Sequence, residues 1–323
     1  MTQQMKRIGV LTSGGDGPGM NAAIRAVVRT ADSRGMEVAG IIRGYQGLID
    51  DEVVSLGHRD VSNIINRGGT ILKTARSEKF KTDKGEKMAV ATLKKHHIDG
   101  LIVIGGDGSY RGAQILHEKF QFPIVTLPGT IDNDLYGTDQ TIGCATAVNT
   151  ALESIDKIRD TIQSMERIFV VEVMGNKSGY IALQVALGAG AEDVLIPERS
   201  FDYPSMIKKI KAGHRKGKVS WIIIVAEGAA KAPDVAAKIE QLSGLETRFV
   251  VLGHVQRGGT PVAADRILAT RLGVQAVELL LDGEYGKAVG VLQDEINIVN
   301  LVQACKMPEK HIGEYLRILE LLR

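Results

Sequence analysis

Short, almost uninterrupted aliphatic runs recur along this chain, and several end in a loop rich in glycine or aspartate. Residues 7–12 (RIGVLT), 101–104 (LIVI), 123–127 (PIVTL) and 221–226 (WIIIVA) are the clearest, and residues 37–43, 168–173, 194–196 and 248–252 extend the series. Runs with no polar alternation have no face for water, so they read as strands of parallel sheets covered on both sides. Amphipathic stretches lie between or after them, at residues 21–34, 84–96, 108–120, 148–165, 204–216, 235–242 and 263–281, with two last helices at 299–305 and 309–322. That alternation specifies an α/β fold, and 323 residues suggest two domains. No Pro/Ser linker divides the chain, and the break at residues 141–143 is the candidate boundary.

Composition narrows the function classes. Lys plus Arg number 40 against 38 Asp plus Glu, a net charge of +2, which excludes a broad nucleic-acid footprint or an acidic tail. The longest charge-free stretch, residues 178–191, is shorter than a membrane span and contains Gln184 and three glycines. The N-terminal sequence has no apolar segment long enough for a signal peptide. Cys144 and Cys305 are too few for a disulfide framework and fit a reducing compartment. The expectation is a cytoplasmic protein without nucleic-acid or membrane partners. The 37 glycines are an excess over the usual ~7%, and in a sequence without low complexity they imply close backbone approaches, often to phosphates.

Three loops fall at the carboxyl ends of strands, where open parallel sheets bind ligands. Residues 13–21 (SGGDGPGMN) can present backbone N–H groups and a helix N-terminus to a phosphate, although neither the Walker nor the dinucleotide spacing is present. Gly106-Asp107-Gly108-Ser109 sets a carboxylate between glycines, suited to a Mg²⁺ that bridges phosphates; the competing role for Asp107 is a helix N-cap. In residues 128–134 (PGTIDND), Thr130, Asp132 and Asp134 would point the same way if the segment is extended. Paired carboxylates raise each other's pKa unless compensated, which makes Asp132 a candidate base; the competing reading is an Asx turn. Cations follow: Arg76 in residues 67–76, Arg167 ahead of a strand, and Arg248, His254 and Arg257 around another. Arginine forks match phosphate oxygens. Glu227 ends the strand of residues 221–226. A metal-binding carboxylate, a base, glycine cradles and a cationic pocket together describe phosphoryl transfer from a nucleotide to a phosphorylated acceptor.

SGGDGPGMNAAIR, RGGTIL, IGGDGSY, PGTIDND, VEVMG, AEG and LGHVQRGG occur in that order from Met5 to the final helix. In this the chain resembles the bacterial ATP-dependent 6-phosphofructokinases. The resemblance implies two similar three-layer α/β/α domains with mainly parallel sheets, a larger ATP-binding one at residues 1–142 and 256–304 and a smaller sugar-phosphate one at 143–255 and 305–323. It implies Asp132 as the base for the 1-hydroxyl of fructose 6-phosphate, with Thr130 and Asp134 in support, and Asp107 holding Mg²⁺. Gly15, Arg76, Ser77, Gly106, Gly108 and Ser109 would line the ATP site, with Tyr45 near the adenosine, and Arg76 would stabilise the γ-phosphoryl in flight. Ile131, Met174, Gly175, Asn176 and Glu227 would meet the sugar. Arg248 and His254, with Val255, Gln256, Arg167 and Arg257, would hold its 6-phosphate. Some of these arginines come from a neighbouring subunit in the family, which implies a homotetramer.

Pyrophosphate-dependent relatives carry Asp in place of Gly108 and Lys in place of Gly129, so glycine at both positions implies ATP as donor. Asn176 departs from the family's arginine. It is the one feature that favours an inactive nucleotide-binding paralogue, and a related kinase with another acceptor is the remaining alternative. An effector site for ADP or phosphoenolpyruvate would use Arg25, Arg29, Arg159, Gly190, Glu192, Lys216 and Lys218, with Asn63 where the family has aspartate. Read as residues alone, Arg25 and Arg29 are a helix-surface pair.

Overall fold

A computed structural model describes residues 5–165, 167–218, 220–306 and 312–322. In chain order the elements are β1 (Arg7–Ser13), α1 (Met20–Ser33), β2 (Glu37–Ile41), α2 (Gly44–Asp50), β3 (Val53–Leu56), α3 (Asp83–Lys95), β4 (Gly100–Gly105), α4 (Asp107–Phe120), β5 (Ile124–Thr130), β6 (Ile142–Gly143) and α5 (Cys144–Met165). They continue with β7 (Ile168–Val173), α6 (Tyr180–Ala189), β8 (Asp193–Leu195), α7 (Tyr203–Arg215), β9 (Trp221–Ala226), α8 (Ala232–Ser243) and β10 (Thr247–Val251). The last are α9 (Ala263–Leu281), β11 (Lys287–Leu292), β12 (Glu295–Asn300), α10 (Leu301–Ala304) and α11 (Ile312–Leu321). Two compact units result: residues 1–146 with 257–309, and residues 147–256 with 310–323.

Among the described residues the first unit holds one sheet in the order β12-β11-β5-β4-β1-β2-β3, with β6 beside β5. Its central strands are parallel, and β3 and β12 close the two edges antiparallel. The period-2 alternation of β4 divides the core. Ile102 and Ile104 pack with α1 and α9 on one face, while Leu101 and Val103 pack with α2, α3 and α4 on the other. All four are fully buried, each contributing about 2 kcal/mol of apolar transfer. Close approach of α1 and α9 requires Gly273, where a Cβ would come 2.7 Å from that of Ala26. The second unit has a four-stranded parallel sheet, β10-β7-β9-β8. Ile168, Val170, Ile223 and Val225 meet α7 and α8, and α6 packs against β8 and β9. Side-chain caps start two helices: Thr82 accepts from the Gly85 N–H (3.1 Å) and Asp202 from the Ser205 N–H (2.9 Å).

Several elements differ from the sequence reading. The helix expected over 299–305 is the single turn α10, Leu301–Ala304, while residues 299–300 end strand β12, which was not expected. The alternation in Glu295–Asn300 pairs it with β11 through a two-residue turn, in which Gln293 and Asp294 both take positive φ (52° and 65°). The strand expected to stop at residue 127 continues through Pro128 to Thr130, since Pro128 pairs with Gly105 and Gly129 with Ile142. Helices α2 and α6 were not expected. Residues 309–311 of the expected last helix lie outside the described residues.

Candidate active site

Strands β5, β4 and β1 are neighbours; β1 and β4 end level at Ser13 and Gly105, opposite Pro128, and β5 runs two residues further. From β1 the chain leaves into α1 on one face, and from β4 into α4 on the other. The loops after them therefore open at the switch point of the sheet, where a crevice forms. Gly14 has φ +87°. A Cβ on Gly15 would lie 3.1 Å from the Arg257 guanidinium, so that arginine stands beside the first glycine loop. Asn21, 1% exposed, fastens residues 67–71 to the start of α1: its Nδ2 donates to Arg67 O (3.0 Å) and its Oδ1 accepts from the Ile71 N–H (2.8 Å). Thr12 Oγ1 donates to Lys73 O (2.9 Å), tying the same segment to β1. Arg76, which follows, is exposed.

Asp107 opens α4 but does not cap it; the N-cap is Gly106, without a side-chain bond. The carboxylate instead receives Arg111 Nε on both oxygens, each at 3.1 Å, and its side chain is 45% exposed. No group of three His, Cys, Asp or Glu side chains suited to a metal occurs among the described residues. A cation at Asp107 would thus take one carboxylate and complete its shell with phosphate and water oxygens, the habit of Mg²⁺. The space beside Gly108 is open, with nothing within 4 Å of a built Cβ, and the donor set fits that ion.

Thr130 lies next to Gly106, 3.4 Å from where that glycine's Cβ would stand, so the loops carrying Asp107 and Asp132 adjoin. The Asp132 N–H donates to Thr130 Oγ1 (3.2 Å). The expectation that Thr130, Asp132 and Asp134 share one face is not met. Asn133 is left-handed (φ 49°) and residues 131–132 bend, which breaks the two-residue period before Asp134. Ile131 is buried, within reach of a Cβ on Gly17 or Gly143. Tyr45, Ser77 and Ser109 are engaged inside the protein: the Tyr45 hydroxyl donates to Ser109 O (2.6 Å) and the Ser77 hydroxyl to Gln46 Oε1 (2.7 Å).

In the second unit, β7 and β9 end beside one another at Val173 and Ala226. Beyond them, Glu227 Oε1 accepts the N–H groups of Gly175 (3.2 Å) and Asn176 (2.8 Å). Gly175 is required here, with φ +144° and the Ser178 carbonyl 2.5 Å from a Cβ. Asn176 is left-handed, φ 52°, a conformation asparagine adopts readily. Gln256 is fully buried, and its Oε1 accepts the Met174 N–H (2.8 Å), so it fixes that loop from within. His254 and Val255 are exposed after β10.

Arg167 and Arg248 are elsewhere. They stand at the opening ends of β7 and β10, whereas Met174, Glu227 and His254 follow the closing ends. Glu246 lies between the two arginines, accepting Arg167 Nε on one oxygen (2.8 Å) and an Arg248 terminal nitrogen on the other (2.5 Å). Burial alone would raise the pKa of this carboxyl; the Arg248 and Arg167 hydrogen bonds outweigh it and hold the pKa below the ordinary value.

Of the effector candidates, Arg25 and Arg29 lie on α1, where burial and then the Arg29 charge lower the Arg25 pKa. The others gather in the second unit. Arg159 donates to Ala189 O, Gly190 ends α6 with φ 59°, Lys218 pairs with Glu192 (2.9 Å), and Lys216 caps α7.

The sequence reading missed Asn21, Gln46, Arg111, Glu246 and Asp265. Asp265, 1% exposed on α9, accepts the N–H groups of Gly143 (2.9 Å) and Thr146 (2.8 Å) and the Thr146 hydroxyl (2.5 Å). A signal existed only for Arg111, four residues after Asp107 on one helix face; the others depend on tertiary contact.

Strands in this order, with helices on both faces and glycine loops after the carboxyl ends of β1 and β4, define a doubly wound α/β protein. The phosphofructokinase family model matches residues 7–280. ATP-dependent 6-phosphofructokinase 1 of Thermus thermophilus is 54% identical over 320 residues, covering 98% of this chain and 99% of that protein. The ATP-dependent 6-phosphofructokinase of Bacillus subtilis is 56% identical over 292 residues, 90% of this chain and 91% of its own. The chain belongs to the phosphofructokinase family. Among solved structures, phosphofructokinase from Saccharomyces cerevisiae superposes with a TM-score of 0.87 at 38% identity over 98% of this chain, which spans 47% of that longer one. A pyrophosphate-dependent phosphofructokinase from Marinobacter aquaeolei shares the fold, with a TM-score of 0.83 at 23% identity and 98% and 91% coverage. No helix among the described residues is long and apolar enough to cross a membrane.

Proposed function

We infer that this chain is an ATP-dependent 6-phosphofructokinase, which moves the γ-phosphoryl of ATP to the 1-hydroxyl of fructose 6-phosphate and yields fructose 1,6-bisphosphate and ADP. The observation that carries this reading is the adjacency of the β4 and β5 ends, which puts a carboxylate suited to Mg²⁺ and one suited to a base on adjoining loops. In phosphoryl transfer the protein's work is positioning and charge stabilisation.

In this reading Gly15, Gly106, Gly108 and Ser109 cradle the phosphates, and Asp107 would hold Mg²⁺, which would supply charge to neutralise them. Asp107 must then share or leave Arg111. Arg76, exposed at the end of its segment, takes charge on the transferred group. Asp132 accepts the proton of the attacking hydroxyl, with Thr130 Oγ1 orienting its backbone. In the second unit the Met174–Asn176 turn, fixed by Glu227 and Gln256, presents backbone to the sugar. The N–H that Asn176 gives Glu227 belongs to the main chain, so asparagine in place of the family's arginine leaves this turn intact. A cytoplasmic location, with Cys144 and Cys305 free, goes with an ATP-consuming enzyme.

The arginines support a homo-oligomer, in keeping with the family's tetramers. Arg167 and Met174 are separated by the length of β7, roughly 20 Å at the rise of a strand. One sugar phosphate held at Met174 and Glu227 cannot also reach the Arg167 and Arg248 of the same chain. Those arginines would serve a neighbouring copy, and exposed Phe249 (50%) and Val251 (48%) on β10, with Val255 (58%) just after it, supply apolar surface for it. Basic groups near Glu192 and Gly190 suit ADP or phosphoenolpyruvate as effector.

Coupled ADP release with Mg-ATP and fructose 6-phosphate tests the activity. Asp132→Ser is expected to lower kcat by about 10²–10⁴-fold, the weight of a general base. Removing Mg²⁺ with a chelator is expected to abolish turnover and restoring it to recover turnover. Unaltered turnover in the variant would reject Asp132 as base.

A further inference from the structure

Strand β11 is paired with β12 along its whole length on one edge, but β5 covers the other edge only at Lys287 and Ala288. Further along, that second edge is taken by the loop that follows Asp132. The Asp139 N–H donates to Val291 O (2.7 Å), and the Val291 N–H donates to Thr138 Oγ1 (3.1 Å). Val291 is 2% exposed, so the threonine hydroxyl satisfies an N–H that water does not reach. Thr138 Oγ1 in turn donates to Gln140 O (2.6 Å). At the hairpin turn the Gln293 N–H donates to Asp139 Oδ2 (2.8 Å), and from β12 Asn297 Nδ2 donates to Gly137 O (2.8 Å).

Close packing backs these bonds. Gly137 is left-handed (φ +85°), and a Cβ there would stand 2.8 Å from Val299, while a Cβ on Gly290 would stand 2.5 Å from Gly137 O. Leu135, 3% exposed, joins the core cluster that holds Ala288 and Leu301, and Val299 packs against the same cluster. At its near end the loop reaches Asp132 through Asn133, which is buried and left-handed (φ 49°). Asn133 Nδ2 donates to the carbonyl of Asp139 (2.9 Å), the residue that the hairpin holds by two bonds. Asp132 therefore stands between two anchors. Thr130, at the end of β5, takes its N–H (3.2 Å), and the hairpin, through Asp139, holds its successor in the chain.

We propose that the β11–β12 hairpin is the positioning element of the Asp132 loop: Thr138, Asp139 and Asn297 hold residues 133–139 on its edge and thereby set where the Asp132 carboxylate stands, without touching substrate themselves. The proposal rests on the reading of Asp132 as the base. A base works only within hydrogen-bond reach of the proton it takes, and a displacement of about 1 Å can cost up to 10²-fold. The glycine loops after β1 and β4 and the Met174–Asn176 turn lie on other segments. Loosening the hairpin's grip should therefore lower kcat and leave both KM values nearly as they were.

Thr138→Val keeps the shape and removes the hydroxyl, Thr138→Ser keeps the hydroxyl, and Asn297→Leu keeps the volume and removes the donor. Steady-state kinetics with Mg-ATP and fructose 6-phosphate are measured on the full chain, alongside thermal melts. Thr138→Val and Asn297→Leu are each expected to lower kcat by about 5–20-fold, with both KM values within about threefold and melting within about 5 °C of the parent. Thr138→Ser should keep kcat within about twofold, since both hydroxyl bonds survive. Asp132→Ser supplies a background without the base. There Thr138→Val should cost less than about twofold more, because it acts through a group already removed. Parent-like kcat in both Thr138→Val and Asn297→Leu would overturn the proposal. So would the same fold loss with and without Asp132, or a loss in Thr138→Ser equal to that in Thr138→Val. Full turnover of Asp132→Ser by itself would instead remove the base reading, and this positioning role with it.

Discussion

Gly108 and Gly129 stand at neighbouring strand ends, and the structure gives them different weight. A side chain at Gly129 would begin 2.8 Å from Ile104 and 3.1 Å from Met20, so packing alone requires glycine there. Gly108 meets nothing within 4 Å and is exposed in the first turn of α4, where glycine costs about 1 kcal/mol against alanine. Nothing in the fold asks for it, and the open space beside it suits the phosphates of the proposed donor site. The donor argument made from both glycines therefore rests on Gly108. Gly108→Asp is expected to melt within about 2 °C of the parent yet raise the ATP KM at least about 10²-fold, since a carboxylate set against phosphate costs several kcal/mol. Gly129→Lys is expected to lose about 1–3 kcal/mol of stability whatever the donor, through overpacking. Steady-state kinetics and thermal melts on the two variants separate these effects; equal destabilisation would undo the distinction.

Among the elements, what could be read in advance followed burial. Strands β7 and β9 and helix α9 are where the aliphatic runs and the helical period placed them, because a strand covered on both faces leaves no polar trace to mislead. β12 went unread because its short alternation runs straight into the helical turn of α10, and Gln293-Asp294 is not a sequence that announces a hairpin. The glycine loops after β1 and β4 were legible because glycines clustered between an aliphatic strand and an amphipathic helix are a recognisable composition. Glu246 and Asp265 were not, since a carboxylate's partners arrive from distant sequence. Asp265 shows what that hides. It clamps Gly143 and Thr146, Gly143 pairs with Thr130 on β5, and Thr146 Oγ1 accepts the Val262 N–H (3.0 Å). Asp265→Ala leaves two buried N–H groups without their acceptor. It is expected to cost about 3 kcal/mol in urea unfolding and to lower kcat, although Asp265 is outside the groups assigned to substrate. A stable variant with full turnover would show that β6 holds Thr130 without this latch.

At the scale of the whole molecule, Arg167 and Arg248 stand a strand's length from Met174 and Glu227, farther than one sugar phosphate in the proposed site would span. The two arginines share the carboxylate of Glu246 within one chain. If they serve the sugar phosphate of a neighbouring copy, base and arginine act in one reaction from different chains. Two defective variants should then repair each other. Arg248→Ala retains the base but offers its neighbour no arginine, and Asp132→Ser offers arginine but has no base. Mixed and allowed to exchange subunits, they should form assemblies in which some sites draw Asp132 from one chain and Arg248 from the other. Activity is expected to rise well above the sum of the two preparations, to about a quarter of the unaltered enzyme at equal mixing if each site draws its two groups independently. Light scattering should report an assembly larger than one chain in every sample, since the exposed apolar groups of β10 are unchanged. If scattering and labelled-subunit exchange both show mixed assemblies and no activity returns, the arginines act within their own chain, and the sugar phosphate must lie at the other end of the sheet from the one assigned to it.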